Sequence, residues 1–171
     1  MKKLTIYLDT SIINFLFADD APEKRDITKE FFDEYVKTGY YDVFVSPIVI
    51  DEISKTESEF QRLRLLKVIS DYRIPILNIE PSLGNIRALA DMYIEHGIIP
   101  RTKVEDALHI AISTVYEVDV LLSWNYRHLA NINRERKILS ANIQEGYIKT
   151  LRITTPLEVM SDEGEGITGA S

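Results

Sequence analysis

Four oxygen-bearing side chains in this 171-residue chain stand where chemistry is usually built. Asp9 follows an apolar run in YLDTSIINFLF, Glu52 lies in SPIVIDEIS, Asp106 in RTKVEDALHIAIST and Asn125 in VLLSWNYRHL. Three carboxylates and an amide oxygen form an all-oxygen set, which hard divalent cations such as Mg²⁺ prefer. Such an ion can activate water, orient a phosphate and stabilise a leaving oxygen, so phosphodiester hydrolysis suits the set without a Cys or His nucleophile. The chain has no cysteine, which excludes disulfide scaffolds, thiol nucleophiles and Cys-ligated zinc. It also lacks the Walker loop, G-x-G-x-x-G, G-x-S-x-G and H-E-x-x-H.

Each residue has a structural reading beside the chemical one. Asp9 is placed to cap the helix after it, and Ser123 and Asn125 to form a cap or a tight turn. Ser46 is a natural N-cap and Pro47 suits a first helical turn. Counting 100° per residue from there sets Glu52 between Ile48 and Val49, while Asp51 points toward Pro47 and Ser54. A carboxylate among apolar neighbours needs a partner, which favours Glu52 over Asp51. Thr102 and Glu105 have capping-box spacing, which sets Asp106 near the positive end of a helix. In that helix Val104, Leu108, Ala111, Ile112 and Val115 make a core stripe, with Asp106, His109 and Ser113 on the opposite face. His109 is thus a candidate substrate contact, against the plainer reading of a satisfied structural histidine. Trp124 and Tyr126 flank Asn125, where an aromatic ring can stack on an unpaired base or simply pack under the loop.

These residues need elements to aim them. Strand patterns cover Leu4–Leu8, Val43–Val45, Ile74–Ile79 and Val118–Leu122, with a further short strand expected within Leu151–Met160. Helical patterns cover Ser11–Phe17, Arg25–Lys37, Pro47–Lys55, Glu59–Tyr72, Ser82–His96, Thr102–Tyr116 and Asn133–Glu145. The alternation predicts an α/β fold with a parallel sheet between helices, and places a site beyond the carboxyl ends of the strands. With 45% hydrophobic residues, residues 1–160 are expected to form one domain and 161–171 a flexible tail.

Net charge is −7, against a general positive field for nucleic acid, although Arg62, Arg64, Lys67 and Arg73, and Arg127, Arg134, Arg136 and Lys137, form local basic clusters. No apolar run is long enough for a membrane span, and the expected setting is soluble and cytoplasmic.

The ordered set YLDTSII, SPIVIDEI, VEDALHIAIS and LLSWN resembles that of PIN-domain proteins over nearly the whole chain, Leu4 to about Met160, and in particular VapC-type ribonuclease toxins. The resemblance implies a three-layer α/β/α fold with a central, mostly parallel sheet of four to five short strands. It implies an endoribonuclease that cleaves RNA with Mg²⁺ or Mn²⁺, bound by Asp9, Glu52 and Asp106, as the toxin of a toxin–antitoxin pair. It implies that Thr10 or Ser11 supplies a hydroxyl ordering the first carboxylate, and that Ser123 supports the site. Asn125 stands where the family often has a fourth acid; an amide can ligate but carries no charge and cannot act as a base. The resemblance further implies an antitoxin partner and a homodimer. Ile13, Phe15, Leu16, Phe17, Phe31 and Phe32 point the same way, as an apolar excess on early helices.

Two rivals stand beside this reading. An aspartate-nucleophile phosphotransferase would want a second acid at the position of Ser11, and a receiver domain would want paired acids at the end of the first strand. Neither is present. The remaining alternative is a catalytically weak or inactive PIN-fold module that binds RNA or a protein partner.

Overall fold

The computed structural model describes residues 2–125 and 131–161. Four short parallel strands make one sheet: β1 (Thr5–Leu8), β2 (Asp42–Phe44), β3 (Val120–Leu122) and β4 (Arg152–Thr154), in the order β2-β1-β3-β4. The central strands β1 and β3 are almost wholly buried, as expected where helices cover both faces. From β1 the chain moves first to β2 on one side and later to β3 on the other. The order therefore reverses between β1 and β3, and their carboxyl ends, at Asp9 and Ser123, open the crevice where α/β sheets bind ligands.

The helices are α1 (Thr10–Asn14), α2 (Pro22–Phe31), α3 (Pro47–Ser54), α4 (Glu59–Asp71), α5 (Leu83–Glu95), α6 (Val104–Val115) and α7 (Ile132–Gln144). A 3₁₀ turn, Phe15–Phe17, extends α1, and a π turn, Phe32–Val36, extends α2. Helix α6 packs against α5 and β3 and touches α3. It is buried almost all round, from Ala107 to Thr114 save Leu108. Among the described residues no helix is long and apolar enough to cross a membrane.

Three expectations are corrected. Ile74–Ile79 is not a strand: it meets the sheet at a single bridge, Val45 to Ile76, fixed by Val45 N–H to Pro75 O at 3.1 Å and Leu77 N–H to Val45 O at 2.9 Å. Pro75 has no N–H to extend that ladder, and β2 is only three residues long. The Thr102–Glu105 capping box does not form. Helix α6 begins two residues later, with Lys103 at its N-cap and no side-chain cap, and Glu105 instead lies 3.5 Å from Lys55. Val104, expected in the core, is the first helical residue and 44% exposed.

The expected apolar excess on the early helices is not there either. Ile13, Leu16, Phe31 and Phe32 are buried within the single chain, and Phe15 and Phe17 are partly covered. Phe31 and Phe32 join a ring cluster with Tyr35, Tyr41 and Tyr72, at centroid separations of 5.0–6.3 Å. Phe31 and Phe32 are core. The tail from 162 and the residues Tyr126, Arg127 and His128 lie outside the described residues.

Candidate active site

Asp9 ends β1 and caps α1: its Oδ1 accepts the Ser11 N–H at 3.0 Å and the Ser11 hydroxyl at 2.5 Å. The capping and chemical readings of Asp9 are therefore compatible, since one oxygen caps. Ser11 Oγ in turn accepts the Trp124 N–H at 3.0 Å and lies 3.5 Å from Ser123 Oγ. Asp9 N–H reaches Leu122 O at 3.2 Å, so the ends of β1 and β3 are joined by both backbone and side chains. Ser123 Oγ accepts the Asn125 N–H at 2.9 Å, the turn expected from the sequence.

Glu52 arrives from α3, whose start is set by Ser46 as N-cap and Pro47 at N1. Helical periodicity turns it inward, half-buried, while Asp51 is exposed. Its Oε1 accepts the Thr10 hydroxyl at 3.0 Å and lies 2.5 Å from His109 Nε2. The two neighbouring hydroxyls thus divide the work: Ser11 holds Asp9 and Thr10 holds Glu52. Asp106 sits at the third position of α6, partly buried, and no hydrogen bond or ion pair from its carboxylate is made to a described residue.

The electrostatics distinguish the three acids. Asp9 is 1% exposed, and burial pushes its carboxyl above the usual range despite the His109 charge and the Ser11 and Ser123 hydroxyls. Asp106 is raised for the same reason, with Glu52 and Glu105 adding to burial and His109 and Lys103 opposing it. For Glu52 burial pulls upward too, but the hydrogen bond and charge of His109, the Thr10 hydroxyl and Lys55 outweigh it and hold the carboxyl below its usual range. His109 is raised: burial disfavours its charge, yet the Glu52 bond and the charges of Asp9, Glu52 and Asp106 prevail. Among the described residues no lysine or arginine forms an ion pair with any of the three acids.

His109 and Trp124, each a candidate substrate contact with a plainer structural reading beside it, both make structural contacts. His109 is 2% exposed with Nδ1 2.7 Å from the Tyr7 hydroxyl and Nε2 on Glu52, which leaves no ring nitrogen for substrate. Helical spacing sets it on one face with Asp106 and Ser113; the pairing to Glu52, 57 positions away, has no local signal. Trp124 is partly buried, with its indole N–H donating to Thr28 Oγ1 at 2.9 Å and its ring 5.8 Å from Phe15. It packs under the loop. Asn125 is exposed, and its side chain bonds to no described residue.

The predicted metal cluster is not closed. Among the described residues no three His, Asp or Glu side chains converge closely enough to hold an ion. Glu52 turns its Oε1 to Thr10 and His109, and Asp106 stands apart on α6. The donor chemistry still fits a hard cation: Asp106 and Glu52 Oε2 make no hydrogen bond, and Mg²⁺ commonly takes one or two carboxylates and completes its shell with water and phosphate.

No family model and no curated protein matches the sequence. Among solved structures the chain is similar to one in the crystal structure of VapBC2 from Rickettsia felis bound to a DNA fragment from their promoter. The TM-score is 0.56 at 17% identity, over 89% of this chain and 98% of that one. The fold is PIN-like. At this identity the likeness concerns the PIN-like architecture, a three-layer α/β/α arrangement around a parallel sheet.

Proposed function

We propose that this chain is a metal-dependent endoribonuclease hydrolysing RNA phosphodiester bonds, with Asp9, Glu52, Asp106 and Asn125 holding Mg²⁺ or Mn²⁺. The observation that carries the reading is three acids whose charges all act on His109 beside the β1/β3 crevice, openly spaced, two of them raised by burial, with no lysine or arginine pairing them among the described residues. Asp9 and Asp106, raised by burial and without a lysine or arginine partner among the described residues, favour a bound cation beside them.

A bound divalent cation would supply Lewis-acid activation of the phosphodiester. Asp9, fixed by Ser11, and Glu52, fixed by Thr10 and His109, would hold it from the β1 end and from α3. Asp106 would approach from α6. Ser123 and Asn125, on the adjoining turn, would orient water or the phosphate. His109 sits among the acids and offsets part of their mutual repulsion. A toxin role with an antitoxin partner and a homodimeric state are part of the proposal. The similar fold seen within a VapBC2 assembly supports a protein partner.

A second reading, a weak or inactive module that binds RNA or a protein, is favoured by the open spacing of the acids and by Asn125 in place of an acid. Cleavage of mixed RNA by purified protein with Mn²⁺ separates the two. Cleavage lost with EDTA and in folded Asp9→Asn and Asp106→Asn variants is expected. Inert wild-type protein with no detectable metal binding would leave the binding-module reading.

A further inference from the structure

The imidazole of His109 is buried at the cleft yet has no place in direct contact with RNA. Its Nδ1 lies 2.7 Å from Tyr7 Oη, and Tyr7, fully buried on β1, lies 2.7 Å from Ser46 Oγ. Ser46 caps α3 by accepting the Ile48 N–H at 3.2 Å, and Glu52 stands on that same helix. The hydrogen bonds therefore run from the cap of α3 through β1 and α6 and back to α3. A carboxylate oxygen can only accept, so whatever the charge on the ring, Nε2 is the atom that donates to Oε1. The bond fixes a flexible side chain at one oxygen and leaves Oε2 to the crevice. Burying a polar ring between β1 and α6 is unfavourable compared with an apolar side chain, unless its hydrogen bonds are needed.

We propose that His109 is a positioning residue that sets the Glu52 carboxylate for metal binding, with Tyr7 and Ser46 fixing the ring. This rests on the metal-dependent reading above and adds a residue to it. Partners of this kind typically change metal affinity 10- to 100-fold when removed.

The test is calorimetric titration of Mn²⁺ into the full chain, for wild type, His109→Leu, His109→Gln, Glu52→Ala and the Glu52→Ala/His109→Leu double variant. Melting curves check the fold of each. His109→Leu is expected to weaken Mn²⁺ binding by about tenfold or more. His109→Gln, with an amide N–H in place of Nε2–H, should recover most of it. In the Glu52→Ala background the leucine substitution should have no further effect. Equal affinity in wild type and His109→Leu, or a loss that persists without Glu52, overturns the proposal. Should His109→Leu not fold, Tyr7→Phe carries the test: weaker binding supports it and unchanged affinity overturns it.

If wild type binds no Mn²⁺, the metal reading fails, and the positioning contact is judged by the imidazole N–H in ¹H–¹⁵N spectra. A sharp, protected Nε2–H signal that is lost in Glu52→Ala supports the hold on Glu52, and its absence in wild type overturns it.

Discussion

The paired strands β1 and β3 carry an aspartate at either end, and the two are held in opposite ways. At the amino-terminal end Asp119, just before β3, accepts the Thr5 N–H at 2.8 Å and the Thr5 hydroxyl at 3.0 Å, and pairs with Lys149 at 3.0 Å. Burial pulls its carboxyl upward, but the Thr5 bonds and Lys149 win and hold it below the usual range. At the carboxyl-terminal end Asp9 has hydroxyl and N–H donors too, yet burial wins and its carboxyl is raised. The difference lies in solvent and counter-charge. Asp119 is partly exposed and has its own lysine, whereas Asp9 is buried, with Asp106 adding to its repulsion and His109 as the one opposing charge. One end of the sheet uses an aspartate to fasten strands; at the other, burial outweighs the donors around the aspartate.

The largest expected effect on this contrast is on cleavage. Asp9→Asn should reduce Mn²⁺-dependent RNA cleavage by more than about 100-fold, comparable with strong removal of electrostatic stabilisation. Asp119→Asn should leave the rate within about twofold, as expected of a residue outside the site. Initial rates on the same RNA compare them, and equal losses would erase the distinction between the two ends.

Next in size is Ser11→Ala. It removes the hydroxyl that holds Asp9 and receives the Trp124 N–H, and a loss of about 10- to 100-fold in Mn²⁺ affinity or rate is expected. A variant as active as wild type would mean that Asp9 is aimed by its backbone contacts alone.

Stability should move the other way. In metal-free protein Asp9→Asn removes a buried charge and keeps an acceptor for the Ser11 N–H, so the variant should melt higher. Each 1 kcal/mol recovered corresponds to about 2–4 °C in a chain of this size. A lower melting temperature, by scanning calorimetry, would show that ionised Asp9 stabilises the fold.

Smallest is Asp119→Ala, expected to lose at most about 1 kcal/mol because the pair is partly solvated. A carboxyl held below its usual value contributes stability above the ordinary carboxylate range and loses it as pH falls through the lowered folded value. The gap between wild type and variant in denaturant midpoint should therefore be full at neutral pH and close in acid. A gap that widens in acid would contradict the assignment.

Much of the frame was legible from local pattern. Ser46 and Pro47 announced α3 and Asp9 announced α1, because capping is read within three or four residues. Glu52 was separated from Asp51 by helical periodicity alone. Local pattern failed where competing contacts were remote. The Thr102–Glu105 spacing was right for a cap, but the chain turns at Lys103 and Glu105 goes to Lys55. The apolar run Ile74–Ile79 had strand composition, but Pro75 and a three-residue β2 limited it to one bridge. Phe31 and Phe32 suggested an interface because nothing in their own helix shows that Tyr35, Tyr41 and Tyr72 gather around them.

The sequence by itself determined which residues sit at strand ends and helix starts, because period, caps and prolines act between neighbours in the chain. It thereby placed Asp9 at the carboxyl end of β1 and Glu52 on the inward face of α3. Ser11 holds Asp9 from two positions along the chain, whereas only the tertiary structure decided how Glu52 is held, by Thr10 and by His109 withdrawn from the cleft. Those choices join residues 42 and 57 positions apart, and they follow from the crossing of β1, α3 and α6 at the point where the strand order reverses.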